Sequence, residues 1–199
     1  LDVDLIPTNE ETTVLKVVST EEMRSIEKAA DAAGLTYDQM MQNAGKAIAD
    51  ALLERVQDIQ GKRVVILVGS GNNGGDGLVV GYHLREAEAQ VAIYLAKERS
   101  KDDPNLVRLQ GNEVLIAIAK DDQRWRVLNN ALSTADIVID AVLGTGFELP
   151  LKGSAQTLLA EAKKILARRK MKPYVVAIDC PSGLDCDSGE IAEETLSAD

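Results

Sequence analysis

Nine consecutive residues, Gly69-Ser70-Gly71-Asn72-Asn73-Gly74-Gly75-Asp76-Gly77, include five glycines. Gly69, Gly71 and Gly74 satisfy G-x-G-x-x-G between a β-branched run and a helical pattern, the context in which that spacing has meaning. Glycines there let the backbone turn tightly and approach a pyrophosphate, whose charge suits the unpaired N–H groups of a helix start. A merely tight β–α turn is the plainer reading, but each glycine costs chain entropy and a turn needs fewer than five. Asn72, Asn73 and Asp76 set the segment apart from an ordinary dinucleotide loop, because phosphates repel a neighbouring carboxylate. Asp76 either caps its own helix, binds a sugar hydroxyl or lies near a cation.

Two further segments place a carboxylate at the end of an apolar run and follow it with small residues. They are Asp140-Ala141-Val142-Leu143-Gly144-Thr145-Gly146-Phe147 and Asp179-Cys180-Pro181-Ser182-Gly183-Leu184-Asp185. In open α/β sheets the C-terminal edge of the strands is where ligands bind. One strand-end Asp is as readily a loop anchor as a site residue; two beside a glycine loop point to a site. Other chemistries lack their parts. His83, the single histidine, falls inside the helix after the glycine loop and reads as a packed or surface residue. Cys180, Cys186 and Ser182 have no second histidine to serve as base, which argues against thiol and serine hydrolysis.

These groups need a sheet to carry them. Four runs, Arg63 to Val68, Val91 to Leu95, Ile137 to Val142 and Tyr174 to Ile178, are apolar almost without interruption, as strands covered on both faces are. Helical patterns lie between them: Gly75 to Glu88, then Asn105 to Leu132 (expected to hold two helices), then Gln156 to Arg168. The alternation predicts right-handed βαβ units in an α/β fold, a Rossmann-like three-layer α/β/α domain with a mainly parallel sheet. Ahead of it, Ser19 with Glu22 and Thr36 with Gln39 form capping boxes that open two helices, the first ended by Gly34. In the second helix Met40, Ala44, Ile48, Leu52 and Val56 line one face, and Met40 and Met41 read as core filling.

At 199 residues one domain is expected, with a core large enough to need no staples. Residues 1–14 read as a flexible extension and 15–199 as the domain. Asp and Glu number 32 against 22 Lys and Arg, a formal charge of −10. That surface argues against a nucleic-acid or membrane partner, which would need clustered cations. Two cysteines and one distant histidine are too few for a zinc site, and the thiols read as reduced. No apolar run nears the ~18–20 residues of a spanning helix. Leu1 to Thr13 lacks the regions of a signal peptide, so a cytoplasmic protein is expected.

Taken together, these segments resemble the YjeF N-terminal domain family, the NAD(P)H-hydrate (NAD(P)HX) epimerases. Met41-Gln42-Asn43-Ala44-Gly45 is similar to that family's M-E-N-A-G helix, and Asn72-Asn73-Gly74-Gly75-Asp76-Gly77 to its hallmark loop. The Asp140 and Asp179 segments resemble its two later strand-end motifs, and order and spacing agree from about residue 15 to the end. The resemblance implies a domain that interconverts the R and S epimers of hydrated NADH and NADPH, which carry a hydroxyl at C6 of the reduced nicotinamide ring. A dehydratase that takes only the S epimer would be its functional or fused partner, and a homodimer is a further expectation. Substrate contacts would fall to Asn72, Asn73, Gly74, Gly75 and Asp76, to Gly144, Thr145, Gly146, Phe147, Glu148, Leu149 and Pro150, and to Asp179.

The resemblance also implies a potassium ion near Asn73, Asp140 and Ser182. Amide, carboxylate and hydroxyl oxygens are hard donors suited to such a cation, which would ease the crowding of acidic groups beside a pyrophosphate. Epimerisation at a hemiaminal-like carbon asks for one positioned acid/base, and Asp179 is given that role. The chain departs from the family at Gln42, where Glu is usual, and at Cys180, where an aliphatic residue is usual. The family pattern enters another strand near Asp199, so a truncated domain or the first part of a fusion is expected. Two other readings stay open. One is a scaffold module of the same fold, against which Asn73, Asp76, Asp140 and Asp179 speak. The other is a nicotinamide dehydrogenase, which would want Glu98 for the ribose and a separate substrate domain.

Overall fold

The computed structural model describes residues 16–111 and 114–199, and the extension expected over residues 1–14 lies outside them. Among the described residues five strands form one parallel sheet: β1 (Arg63–Val68), β2 (Gln90–Leu95), β3 (Leu115–Ile118), β4 (Ile137–Ala141) and β5 (Tyr174–Ala177). Their order is β3-β2-β1-β4-β5. The chain steps outward from β1 to β3, then returns to β4 and β5 on the other side. The reversal between β1 and β4 is a topological switch point, and it sets the loops after those strands across one crevice.

Successive side chains of a strand point to opposite faces, so β1 divides its apolar residues between two layers. Val64, Ile66 and Val68 pack with Ala49 and Leu52 of α2 (Tyr37–Arg55) and with Leu78 and Leu84 of α3 (Asn72–Glu86). Val65 and Leu67 pack with Leu128 and Leu132 of α5 (Arg126–Thr134) and with Leu158 and Leu159 of α6 (Gly153–Ala167). Each Val, Leu or Ile buried this way contributes about 1.5–3 kcal/mol. The three layers expected from the uninterrupted apolar runs are the ones found. No described helix is long and apolar enough to cross a membrane.

Both expected capping boxes form. In α1 (Thr20–Ala32) the Glu22 N–H donates to Ser19 Oγ at 3.3 Å and the Ser19 N–H to Glu22 Oε2 at 2.7 Å. In α2 the Gln39 and Thr36 pair does the same at 3.2 and 3.1 Å. None of the residues of α1 is buried. It is pinned to the ligand edge by the Thr20 N–H on Asp187 Oδ1 at 3.0 Å and by Arg24 Nη2 on Thr145 O at 3.4 Å.

Three expectations need correction. Asn105 to Leu132 is not two helices alone: α4 (Pro104–Gln110) and α5 bracket β3, which pairs with Ala92 to Leu95. This edge strand is four residues long, with Leu115 55% exposed, too short for any period to show. Second, α3 begins at Asn72 with Gly71 as its N-cap, so Asp76 lies a turn inside and does not cap the helix. Third, the buried stripe of α2 is Gly45, Ala49 and Leu52, while Ala44 is exposed. Gly45 causes the rotation: a Cβ there would lie 2.6 Å from Val79 Cβ, so α2 and α3 touch at that residue.

Candidate active site

The crevice begins where β1 and β4 end. The Gly69 N–H donates to Ala141 O at 3.0 Å, and a Cβ on Gly69 would sit 1.8 Å from Val142 O. Gly74 approaches as closely, with its Cβ position 2.2 Å from Gly69 O. The loop is wound so tightly that the first turn of α3 rests on its own entry. Gly71 offers no side-chain cap, which leaves the first N–H groups of α3 for a ligand or water.

Across the crevice Asp140 is 1% exposed. Its Oδ1 accepts from Ser182 Oγ at 2.6 Å and from the Val142 N–H at 3.2 Å, and its Oδ2 accepts from the Ser182 N–H at 2.9 Å. Burial still pushes its carboxyl above the ordinary aspartate range. Ser182 Oγ accepts from the Leu143 N–H at 2.8 Å, and Asn73 Nδ2 donates to Leu143 O at 2.8 Å. The three residues expected near a cation are therefore joined around the backbone of Leu143, Asn73 and Ser182 directly and Asp140 through Ser182. Asn73 Oδ1 is buried without a hydrogen-bond partner, a situation that costs about 1–3 kcal/mol when nothing satisfies it. An orphaned amide oxygen, linked through Leu143 and Ser182 to a buried carboxylate, belongs to a donor set that fits a hard cation. Among the described residues no three His, Cys, Asp or Glu side chains gather as a metal site.

Asp179 follows β5 at φ +68°, and the Cys180 N–H donates across it to Ile178 O at 2.8 Å. An i→i+2 bond spanning a residue at positive φ closes a γ-turn, a rare and strained backbone form. The turn aims the carboxylate over the β4 loop: a Cβ on Gly144 would meet Asp179 Oδ2 at 3.2 Å and Asn73 Cβ at 3.4 Å. A side chain there would press on the Asp179 carboxylate and touch Asn73. Burial raises the Asp179 pKa. Asp76 is pushed up to about 7, by burial first and then by the charges of Asp179 and Glu27.

The folded chain thus holds the Asp76 proton more tightly than an unfolded aspartate near 3.8. The sign follows: the stabilisation is complete below pH 3.8 and is lost as pH rises through about 7. Urea midpoints should fall between about pH 5 and about pH 8, and Asp76→Asn should flatten that fall. An equal slope in both proteins would contradict the assignment.

Beside Asp76 opens a cleft of about 500 Å³ whose walls include Asn72, Tyr37, Met40, Met41, Arg99 and Asn105. The two methionines, expected as core filling, are half-buried cleft walls, and a Cβ on Gly75 would lie 2.6 Å from Met41 Sδ. Thr145 and Phe147 line a smaller cleft of about 210 Å³ against α1. Gly146, Glu148 and Pro150 are exposed, Pro150 after a cis peptide bond, while Leu149 packs on the core beneath α6. The loop residues expected at the site therefore divide between two clefts, the solvent and the core.

Arg99 was not among the expected residues. Its Nη1 donates to Gly69 O at 2.8 Å and to Gly71 O at 3.1 Å, and its Nε to Asp103 Oδ2 at 2.8 Å. Both side chains of that ion pair are 12% exposed, and Asp103 is the N-cap of α4, so Arg99 ties the glycine loop to a helix start. Glu98 turns away to pair with Lys120 at the surface, which removes the carboxylate a dehydrogenase would aim at ribose. The sequence signal for Arg99 is faint, because its partners are carbonyl oxygens that any residue would supply. Lysine keeps the charge but not the fork. Arg99→Lys should lower the unfolding free energy by about 1–3 kcal/mol in urea titrations, and an unchanged midpoint would refute the clamp.

The family model of the YjeF-related protein N-terminus matches residues 37–199. An NAD(P)H-hydrate epimerase of Elusimicrobium minutum is 32% identical over 191 residues, covering 93% of this chain and 83% of the relative. One from Rhodobacter capsulatus is 35% identical over 187 residues, covering 87% and 79%. A bifunctional NAD(P)H-hydrate repair enzyme Nnr of Archaeoglobus fulgidus is 32% identical over 93% of this chain, which spans 36% of that protein. The crystal structure of yeast ynu0, YNL200c, matches with a TM-score of 0.78 at 26% identity, over 92% of this chain and 78% of the yeast one.

Proposed function

The chain belongs to the YjeF-related protein N-terminus family, and from that premise we propose that it is an isomerase of cofactor repair. It interconverts the R and S epimers of hydrated NADH and NADPH at C6 of the nicotinamide ring. The observation that carries this reading is a pair of interacting carboxylates at the switch-point crevice. Asp179 is aimed by its γ-turn, and Asp76 keeps its proton up to about neutral pH.

C6 of the hydrated ring bears both a hydroxyl and the ring nitrogen, so inversion needs that carbon to become planar and close again from its other face. Asp179 accepts the hydroxyl proton as the C6–N1 bond breaks, and protonated Asp76 gives its proton to the departing nitrogen. Rotation of the aldehyde so formed and reversal of both transfers complete the exchange. Two carboxylates close enough to interact can divide one proton between them, which supplies acid and base from one site. Asn72 and the first N–H groups of α3 receive the substrate's pyrophosphate, and Gly144 leaves room for Asp179 to reach the ring. Asn73, Asp140 and Ser182 would hold a potassium ion, which supplies positive charge against the buried Asp140 and the substrate's phosphates.

The bifunctional relatives support a dehydratase as the functional or fused partner; this chain spans about a third of their length. A cytoplasmic location, supported by two free thiols, and a homodimer, supported by exposed Met23, Ile26 and Leu35, belong to the same reading. The test is to mix both epimers with an S-specific dehydratase and its nucleotide, then follow recovery of the reduced nicotinamide's absorbance. Acceleration over the spontaneous rate is expected. None at any potassium concentration would overturn the activity.

A further inference from the structure

Cys180 and Cys186 are the two cysteines of the chain, and both are free thiols, Cys180 buried and Cys186 exposed. The segment between them folds back on itself. The Leu184 N–H donates to Pro181 O at 2.9 Å, Gly183 takes φ +97°, and the Asp185 N–H is fixed on Glu190 O at 2.9 Å. Both sulfurs are thereby brought to one oxygen. Cys180 Sγ lies 4.0 Å and Cys186 Sγ 3.8 Å from Leu184 O, so one carbonyl oxygen gathers both thiols. No third side chain joins them to make a metal site among the described residues. Neither thiol has a part in the epimerisation.

We propose that Cys180 and Cys186 form a reversible redox site, a disulfide made by exchange with a small-molecule disulfide, which locks the loop carrying Asp179 and Ser182. Cys186 is the accessible sulfur and attacks first. Its thiolate displaces one small thiolate and leaves a mixed disulfide. The Cys180 thiol then gives up its proton as its sulfur attacks the Cys186 sulfur and expels the second small thiolate. Two electrons pass from the cysteine pair to the small disulfide, and the two cysteine protons end on the two small thiols released.

The bridge bears on the site through the backbone. The Cys180 N–H closes the γ-turn that aims Asp179, and Ser182, two residues on, holds Asp140 by two hydrogen bonds. Drawing the buried Cys180 sulfur toward the surface moves both. This consequence rests on the function proposed above, whereas formation of the bridge does not. A displacement near 1 Å at reacting groups lowers turnover by about 10²-fold, the size of loss expected on oxidation.

The whole protein should be held in mixtures of glutathione and glutathione disulfide, alkylated and weighed. The expected result is joint loss of both alkylation sites with loss of two hydrogens, reversed by dithiothreitol and absent in Cys186→Ser. Two alkylatable thiols under oxidising mixtures, or glutathione retained on Cys186 with Cys180 free, would overturn the site. In the activity arm the oxidised protein should lose epimer exchange, while Cys186→Ser keeps the reduced rate in every mixture. A complete bridge with undiminished exchange would overturn the locking. Absence of exchange in the reduced protein would count against the epimerase reading, with the mass result still deciding the redox site.

Discussion

Asp179→Asn should abolish epimer exchange, lowering kcat by about 10²–10⁴-fold, while hydrated cofactor still binds. Asparagine has the shape of aspartate and tolerates positive φ, so the γ-turn at φ +68° should survive the change. What is lost is the capacity to take a proton. The substitution also removes the charge that helps hold Asp76 at about 7, so the Asp76 titration should move down, a shift that carbon-13 NMR of its carboxyl reads directly. Asp179→Gly separates strain from chemistry: it should be as inactive, yet equal or exceed the wild type in stability, because a strained non-glycine conformation stores about 1–3 kcal/mol. Wild-type exchange rates in Asp179→Asn would remove this residue from the mechanism.

The parts of this site that could be read in the sequence are those written in side-chain chemistry. Arg63 to Val68 is apolar at every position after the first because both faces of β1 are covered, and the strand has those bounds. Ser19 with Glu22 and Thr36 with Gln39 carry their hydrogen bonds in their own side chains, so both helix starts were legible. Asp140 and Asp179 announced themselves as carboxylates at strand ends. Features made by the backbone did not show. Arg99 acts on carbonyl oxygens, the γ-turn is a choice of φ at an ordinary aspartate, and the orphaned Asn73 Oδ1 depends on what surrounds it. The same limit explains the start of α3. Asn72 to Gly75 look like loop residues by propensity, yet tight approach of Gly74 to Gly69 winds them into a helix.

The three glycines of G-x-G-x-x-G are not equivalent in this fold. Gly69→Ala would place a Cβ 1.8 Å from Val142 O, and that oxygen belongs to the backbone where β4 leaves the sheet. Overpacking a core costs about 1–3 kcal/mol when side chains can shift, and more where the backbone must. A loss of about 3 kcal/mol or more is expected, a fall in Tm of about 6–12 °C for a chain of this size. Gly74→Ala, meeting Gly69 O at 2.2 Å, should behave alike. Gly71 is different: its φ is −89° and a Cβ there meets nothing within 4 Å. Gly71→Ala should cost less than about 1 kcal/mol, through a poorer N-cap alone. If the pyrophosphate sits on this loop, that same Cβ stands in its way and should raise KM with little change in kcat. Calorimetry and steady-state kinetics on the pair separate the two roles. A Gly71→Ala protein with unchanged KM would take the phosphates off the loop and leave Gly69 and Gly74 as packing residues, since Gly71 is the motif glycine whose Cβ position meets no protein atom within 4 Å.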